Sequence, residues 1–197
     1  MNRESNFSES EEIMRKFCVV LIAVGCSLAF AARAQDTNAL KTKIGIFESQ
    51  TGVVIIKGFG PVGSVSTGAA VISVRCKESS SAATSHKDYG IAVIIEVNQW
   101  RGLAIVDYDE LDALLNGMDF IGKITYNVTS LPGFEATFTT KSDLKFMAIG
   151  NKQQGGIRTY LQYDDSPRIS LTSDQWTQLL NLIGQAKTTL DSLRTTK

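Results

Sequence analysis

What this chain has little of decides most of what its sequence can say. It carries one histidine, His86, so a Ser-His-Asp hydrolase would have to use that ring as its base. No G-x-S-x-G nucleophile elbow lies in the stretch Ser79 to Ser85 beside it. Of three cysteines, Cys18 and Cys26 fall in the first 34 residues, and Cys76 stands alone beyond them, which excludes an intramolecular disulfide there. A zinc site would lack ligands of both kinds. Charge of one sign is missing too: Lys and Arg number 20, Asp and Glu number 20, and no run of like charge exceeds two residues. Such balance gives no sign of nucleic acid, anionic membrane or polyanionic substrate. No apolar run of membrane-spanning length follows residue 34.

The first 34 residues read as a signal peptide. Arg15-Lys16 is a short basic region, Phe17 to Phe30 is apolar, and Ala32-Arg33-Ala34 is a small-x-small cleavage site. Met14 is an alternative start, and lipid attachment at Cys26 after Ala23-Val24-Gly25 is an alternative fate. Removing the leader takes four basic and four acidic residues, so residues 35–197 stay neutral. The expectation is an exported protein, periplasmic or secreted, whose residues 35–197 form a single α+β domain.

Two matching helix entrances, 65 positions apart, organise that domain. Val106-Asp107-Tyr108-Asp109-Glu110-Leu111 leads to Leu114-Leu115-Asn116, and Leu171-Thr172-Ser173-Asp174-Gln175-Trp176 leads to Leu179-Leu180-Asn181. Each is a capping box, with Asp107 or Thr172 as N-cap and Glu110 or Gln175 three residues on. Each also has a hydrophobic staple, Val106 against Leu111 and Leu171 against Trp176. The first helix has an apolar stripe at Leu111, Leu114, Leu115, Met118 and Ile121. The second runs from Ser173 to about Leu193, with Trp176, Leu179, Leu180, Ile183, Leu190 and Leu193.

Strands are expected over Thr42 to Glu48 and Gly52 to Lys57, joined as a hairpin, then over Ala69 to Cys76, Tyr89 to Val97 and Leu103 to Val106. Gly58-Phe59-Gly60-Pro61-Val62-Gly63 breaks the pattern and reads as a bend or bulge. Glu78 to Asp88 reads as a polar loop. After the first helix, Gly133 to Thr139 alternates with Phe134, Ala136 and Phe138 inward. Asp143 to Ile149, Ile157 to Tyr163 and Arg168 to Leu171 complete the set. Strands, helix, strands, helix is not βαβ alternation, so antiparallel sheets with two helices are expected. The order fits a duplicated unit with halves 42–128 and 129–197; independent origin of two common caps is the alternative.

Candidate chemistry is thin. Asp107, Asp109, Glu110 and Asp112 lack the glycine and terminal glutamate of a calcium loop and read as first-turn acids at a helix entrance. Asp164-Asp165 before Pro167 reads as a turn, and Asn127-Val128-Thr129 is a glycosylation sequon. Cys76 ends an apolar strand and reads as a small buried hydrophobe; a free thiol or an intermolecular pair is the alternative. Trp100, Phe146, Tyr160 and Tyr163 are aromatics for an open sheet face or for packing under the helices. No catalytic residue, cofactor site or metal site is assigned.

Arg168-Ile169-Ser170-Leu171 through Gln175-Trp176-Thr177-Gln178-Leu179 resembles the helix entry of the transcriptional positive-cofactor family, whose fold the Whirly proteins share in duplicated form. That resemblance implies ββββα units and single-stranded nucleic-acid binding on the sheets. Lys57, Arg75, Lys145 and Arg158 are isolated in the sequence and balanced by acids, so the fold is carried over and the binding is not. The expected function is a non-catalytic binding or interaction module for an unknown protein or a small apolar ligand. A periplasmic or secreted hydrolase and a single-strand binder are the alternatives.

Overall fold

The computed structural model describes residues 41–195, which fall in one compact unit. The leader, the Met14 start and the Cys26 alternative lie outside the described residues. Element order is α1 (Lys43–Glu48), β1 (Ile55–Ser66), β2 (Val71–Ser81), β3 (Lys87–Val97), β4 (Trp100–Asp107), a short 3-10 turn (Tyr108–Glu110) and α2 (Leu111–Gly122). A second 3-10 turn (Tyr126–Val128), β5 (Gly133–Thr139), β6 (Leu144–Asn151), β7 (Ile157–Tyr163), β8 (Ile169–Leu171) and α3 (Ser173–Thr195) follow. The strands make two antiparallel four-stranded sheets, ordered β1-β2-β3-β4 and β5-β6-β7-β8. The chain is therefore α+β with two antiparallel sheets, each followed by a helix.

Each helix packs chiefly on the other unit's sheet. α3 lies on β1, β2 and β3, while α2 lies on β5 and β6, and the two helices touch. One continuous core results, with Ile72, Val93, Leu114, Phe146, Leu161 and Leu179 fully buried in it. Trp176 locks the crossing. Its indole N–H donates to the Met118 carbonyl at 3.1 Å, and its ring meets Phe146 edge-on at 6.1 Å. Gly117 admits Phe138, since a Cβ there would stand 2.5 Å from that ring. The glycine thus serves the packing of α2 on β5.

Several expectations are corrected. Thr42 to Glu48 is a helix with no hairpin to β1. Its buried residues are Ile44 and Phe47, three apart, while Ile46 is exposed. Thr42 caps it by accepting from the Gly45 N–H at 2.9 Å, and the Asp107 carboxylate accepts from the Lys43 and Ile44 N–H groups at 2.6 and 3.2 Å. The α1 cap therefore comes partly from a residue 64 positions away, which local pattern could not show. Gly58 to Gly63 holds the expected bulge, between Pro61 and Gly63, but β1 runs on through it rather than ending there. Proline is tolerated because β1 is an edge strand. β2 reaches into the serine stretch as far as Ser81, so the loop begins later than expected. The α3 stripe is Trp176, Leu179, Ile183, Ala186 and Leu190; Leu193 is exposed.

Both helix entrances form reciprocal bonds. The Thr172 N–H donates to the Gln175 side-chain oxygen at 2.9 Å, and the Gln175 N–H donates to the Thr172 hydroxyl at 3.3 Å. At the first entrance the Asp107 N–H donates to Glu110 at 3.3 Å. Among the described residues, no helix is long and apolar enough to cross a membrane.

Candidate functional site

Period-two alternation sends Ile72, Val74 and Cys76 of β2 and Ile91, Val93 and Ile95 of β3 under α3. The residues between them face the other way. Register aligns that outer face in rows: Phe59, Lys77, Gly90 and Asp107; then Pro61, Arg75, Ala92 and Ile105; then Ser64, Ser73, Ile94 and Leu103. α1 covers one end of the face. Gly90 makes room for it, because a Cβ there would meet the Ile44 side chain at 2.7 Å.

The uncovered part forms a groove. Phe59, Arg75, Ala92, Ile94, Arg101 and Leu103 line a hollow of about 390 Å³. It shares Phe59, Arg101 and Leu103 with a larger hollow of about 800 Å³, which extends past Trp100, Tyr163 and the turn Asp164 to Pro167. Phe59 and Leu103 are 52% and 50% exposed, so large apolar side chains stand open to solvent. The turn that closes the groove holds Asp164 at φ 52°, a left-handed conformation that aspartate adopts more readily than most residues.

Glu48 of α1 organises the covered end. Its carboxylate is 2.7 Å from the Lys57 ammonium and 2.7 Å from the Lys77 ammonium, and it accepts the Ser79 hydroxyl. Burial alone would raise the Glu48 carboxyl, but these three bonds outweigh it and hold it below its ordinary value. The Lys77 ammonium also sits 4.7 Å from the centre of the Phe59 ring. Arg101 pairs with Glu96 at 3.3 Å. Arg75 is exposed, lines the same hollow as Phe59 and Leu103, and has no acidic partner among the described residues.

The residues singled out in the sequence fall in several places. Lys57 and Arg75, isolated in sequence, share this face with Lys77 and Arg101. Trp100 and Tyr163 line the groove, and Gly102 lets them close together, since a Cβ there would meet both rings within 2.8 Å. Phe146 is no surface aromatic: it is fully buried. Tyr160, Lys145 and Arg158 lie on the second sheet, where Tyr160 pairs with Met147 and Arg158 with Ile149. His86 is exposed, 3.2 Å from Asp88 and stacked at a tilt on Phe47. The four acids at the first entrance face lysines. Lys141 lies within 3.5 Å of Asp107 and Asp109, Lys43 within 2.9 Å of Asp109, and Lys187 within 3.4 Å of Asp112. The Lys43 bond lowers the Asp109 carboxyl. Cys76 is buried, its thiol points at the Ala186 carbonyl at 3.6 Å, and burial pushes it up. Asn127 is exposed in the second 3-10 turn.

Phe59 and Leu103 were the residues missed. A lone aromatic between two glycines was the available signal for Phe59; Leu103 looked like any strand leucine. No known family's model, no characterised protein and no solved structure matches the chain.

Proposed function

We propose that this chain is an exported, non-catalytic binding module whose groove on the first sheet takes an apolar ligand bearing one anionic group. The observation that carries this is Arg75: an exposed arginine with no acidic partner among the described residues, lining the same hollow as exposed Phe59 and Leu103, in a groove of the size small ligands need. Phe59, Ile94 and Leu103 offer the flat apolar floor. Arg75 offers a charge-assisted bond to a carboxylate, sulfonate or phosphate. Lys57 and Lys77 share the one carboxylate of Glu48, and Arg101 pairs with Glu96, which leaves Arg75 as the cation of this face with no acidic partner among the described residues. Export rests on the leader pattern at Arg15 to Ala34.

Two probes of nearly the same shape test the reading: anionic anilinonaphthalene sulfonate and neutral phenylnaphthylamine, followed by Trp100 quenching and probe emission. Both should bind, the anionic one more tightly. Arg75→Gln should weaken the anionic probe by about tenfold and leave the neutral one within about twofold. Equal loss for both probes, or none for either, overturns it.

The second reading is single-stranded nucleic acid on the same face, which offers aromatic bases together with phosphates. It is supported by the twice-repeated order of four strands and a helix, by the resemblance of Arg168 to Leu179 to the positive-cofactor and Whirly helix entry, and by basic residues beside Phe59. Filter binding of a single-stranded oligonucleotide at low salt tests it. A steep loss of binding with added salt supports it, and no salt-sensitive binding removes it. The hydrolase alternative gains no constellation, since His86 is engaged with Asp88 and Phe47 on an exposed loop.

A further inference from the structure

The main-chain bonding of β1 is fixed at both of its ends. The Ala82 N–H donates to the Val54 carbonyl at 3.0 Å, and the Thr67 N–H donates to the Ala70 carbonyl at 2.8 Å. Along an antiparallel pair, the residues that point N–H and C=O at the partner alternate. Counting inward from either end, across the bulge between Pro61 and Gly63, gives the same answer. Ile55, Lys57, Phe59 and Pro61 turn their main-chain groups away from β2, and so do Ser64 and Ser66.

The second half of this edge has two of its carbonyls occupied. The Gln178 and Gln175 side-chain amides donate to the Ser64 and Ser66 carbonyls at 3.4 and 2.9 Å, and Pro61 has no N–H to leave open. The first half is not closed. Among the described residues, nothing bonds the outward N–H and C=O groups of Ile55, Lys57 and Phe59. An open edge of this kind is a template for another strand. The side chains along it are apolar, with Val54 69% and Ile56 55% exposed. Its one charged side chain, Lys57, pairs at 2.7 Å with Glu48, a carboxylate that Lys77 also holds.

We propose that this half of β1 is a homodimer interface, on which β1 of a second copy pairs antiparallel about a two-fold axis. The two four-stranded sheets then become one continuous sheet. A second copy fits because the strip is apolar but for Lys57, and because antiparallel pairing about a two-fold axis sets each open N–H and C=O group against its own complement. With the axis at Ile56, Ile56 faces its own equivalent. Ile55 faces Lys57 of the other copy, so the lysines avoid each other and the open N–H and C=O groups of Ile55 and Lys57 bond reciprocally. The bulge and Pro61 end the seam. The inference stands on main-chain geometry and is independent of what fills the groove.

Sedimentation equilibrium of the full chain, as purified from an expressing cell, tests it with three variants. Ile55→Pro removes an outward N–H and leaves the β2 ladder intact, as Pro61 does natively. Ile56→Glu sets like charges across the axis at a position that is exposed in the single chain. Ile56→Cys places two thiols opposite each other at a spacing that a disulfide spans, about 4.5 Å between Cα atoms. The native chain should sediment as a dimer. Ile55→Pro and Ile56→Glu should weaken the dimer by at least about tenfold with far-UV circular dichroism unchanged. Ile56→Cys should cross-link under mild oxidation, and Ile46→Cys, exposed on α1, should not. A native chain that stays monomeric overturns the proposal. So does a dimer that survives both disrupting substitutions, or one that does not cross-link through position 56.

Discussion

Replacing Glu48 with glutamine should cost far more than an ordinary surface change. Lys77 is only 4% exposed, and its ammonium depends on the Glu48 carboxylate at 2.7 Å, with the Phe59 ring 4.7 Å away as its other contact. Removing one partner of a buried pair strands the other charge, a loss of about 3–5 kcal/mol in fully buried cases. The Glu48 side chain keeps 15% of its exposure. Glutamine also retains an acceptor oxygen, so the expected loss is about 2–3 kcal/mol. For a domain of this size that is a fall of roughly 4–12 °C in Tm. Thermal unfolding at neutral pH reads it directly. The double variant Glu48→Gln with Lys77→Met removes the stranded charge and should recover to within about 1 kcal/mol of the native chain. The pH dependence has a definite sign. Glu48 is held below its ordinary 4.5, so its stabilisation is present at neutral pH and is lost as pH falls below 4.5 toward its folded value. Glu48→Gln should therefore flatten part of the acid-side decline. A fall in Tm of less than about 1 °C for Glu48→Gln, or no recovery in the double variant, would refute the reasoning.

Other expectations follow from the same structure. Residues 42–128 and 129–197, expressed separately, should each lack cooperative thermal unfolding, because each helix covers the other half's sheet; a cooperative transition in either half alone would contradict the interlocked core. Phe146→Ala should destabilise by about 3–5 kcal/mol, against less than about 0.5 kcal/mol for Leu193→Ala, measured by urea unfolding. Thr172→Ala should cost about 1 kcal/mol by breaking the reciprocal bonds at the α3 entrance, in the same assay. Cys76 should react with a thiol reagent only at the rate of unfolding, since burial keeps the thiol inaccessible and protonated at neutral pH.

The parts of the fold that were legible in the sequence are those set by local chemistry. The cap pairs at Asp107 and Thr172, the α2 stripe and the alternation of β5 each follow from residues within a few positions, and the structure has them there. The parts that were not legible depend on distant partners. Thr42 to Glu48 alternates well enough for a strand, but its helix is held by a carboxylate from the end of β4. Gly58 to Gly63 looks like punctuation because glycine and proline disfavour paired strands. On an edge, with the proline turned outward, they do not interrupt one. The groove was hidden for the same reason. Lys57, Phe59, Arg75, Lys77 and Leu103 are spread over three strands, and only the register places them side by side. Charge counting along the chain could not reveal Arg75 as the unpaired member, because its neighbours find their acidic partners, Glu48 and Glu96, on other elements.

The most direct test of the proposed groove is amide chemical-shift mapping of the isotope-labelled chain during titration with anilinonaphthalene sulfonate. Shifts concentrated at Phe59, Arg75, Ile94 and Leu103, reached only at about tenfold higher probe concentration in Arg75→Gln, are the predicted result. Shifts confined to the second sheet around Met147 and Tyr160, or the same titration midpoint in native chain and variant, would contradict it.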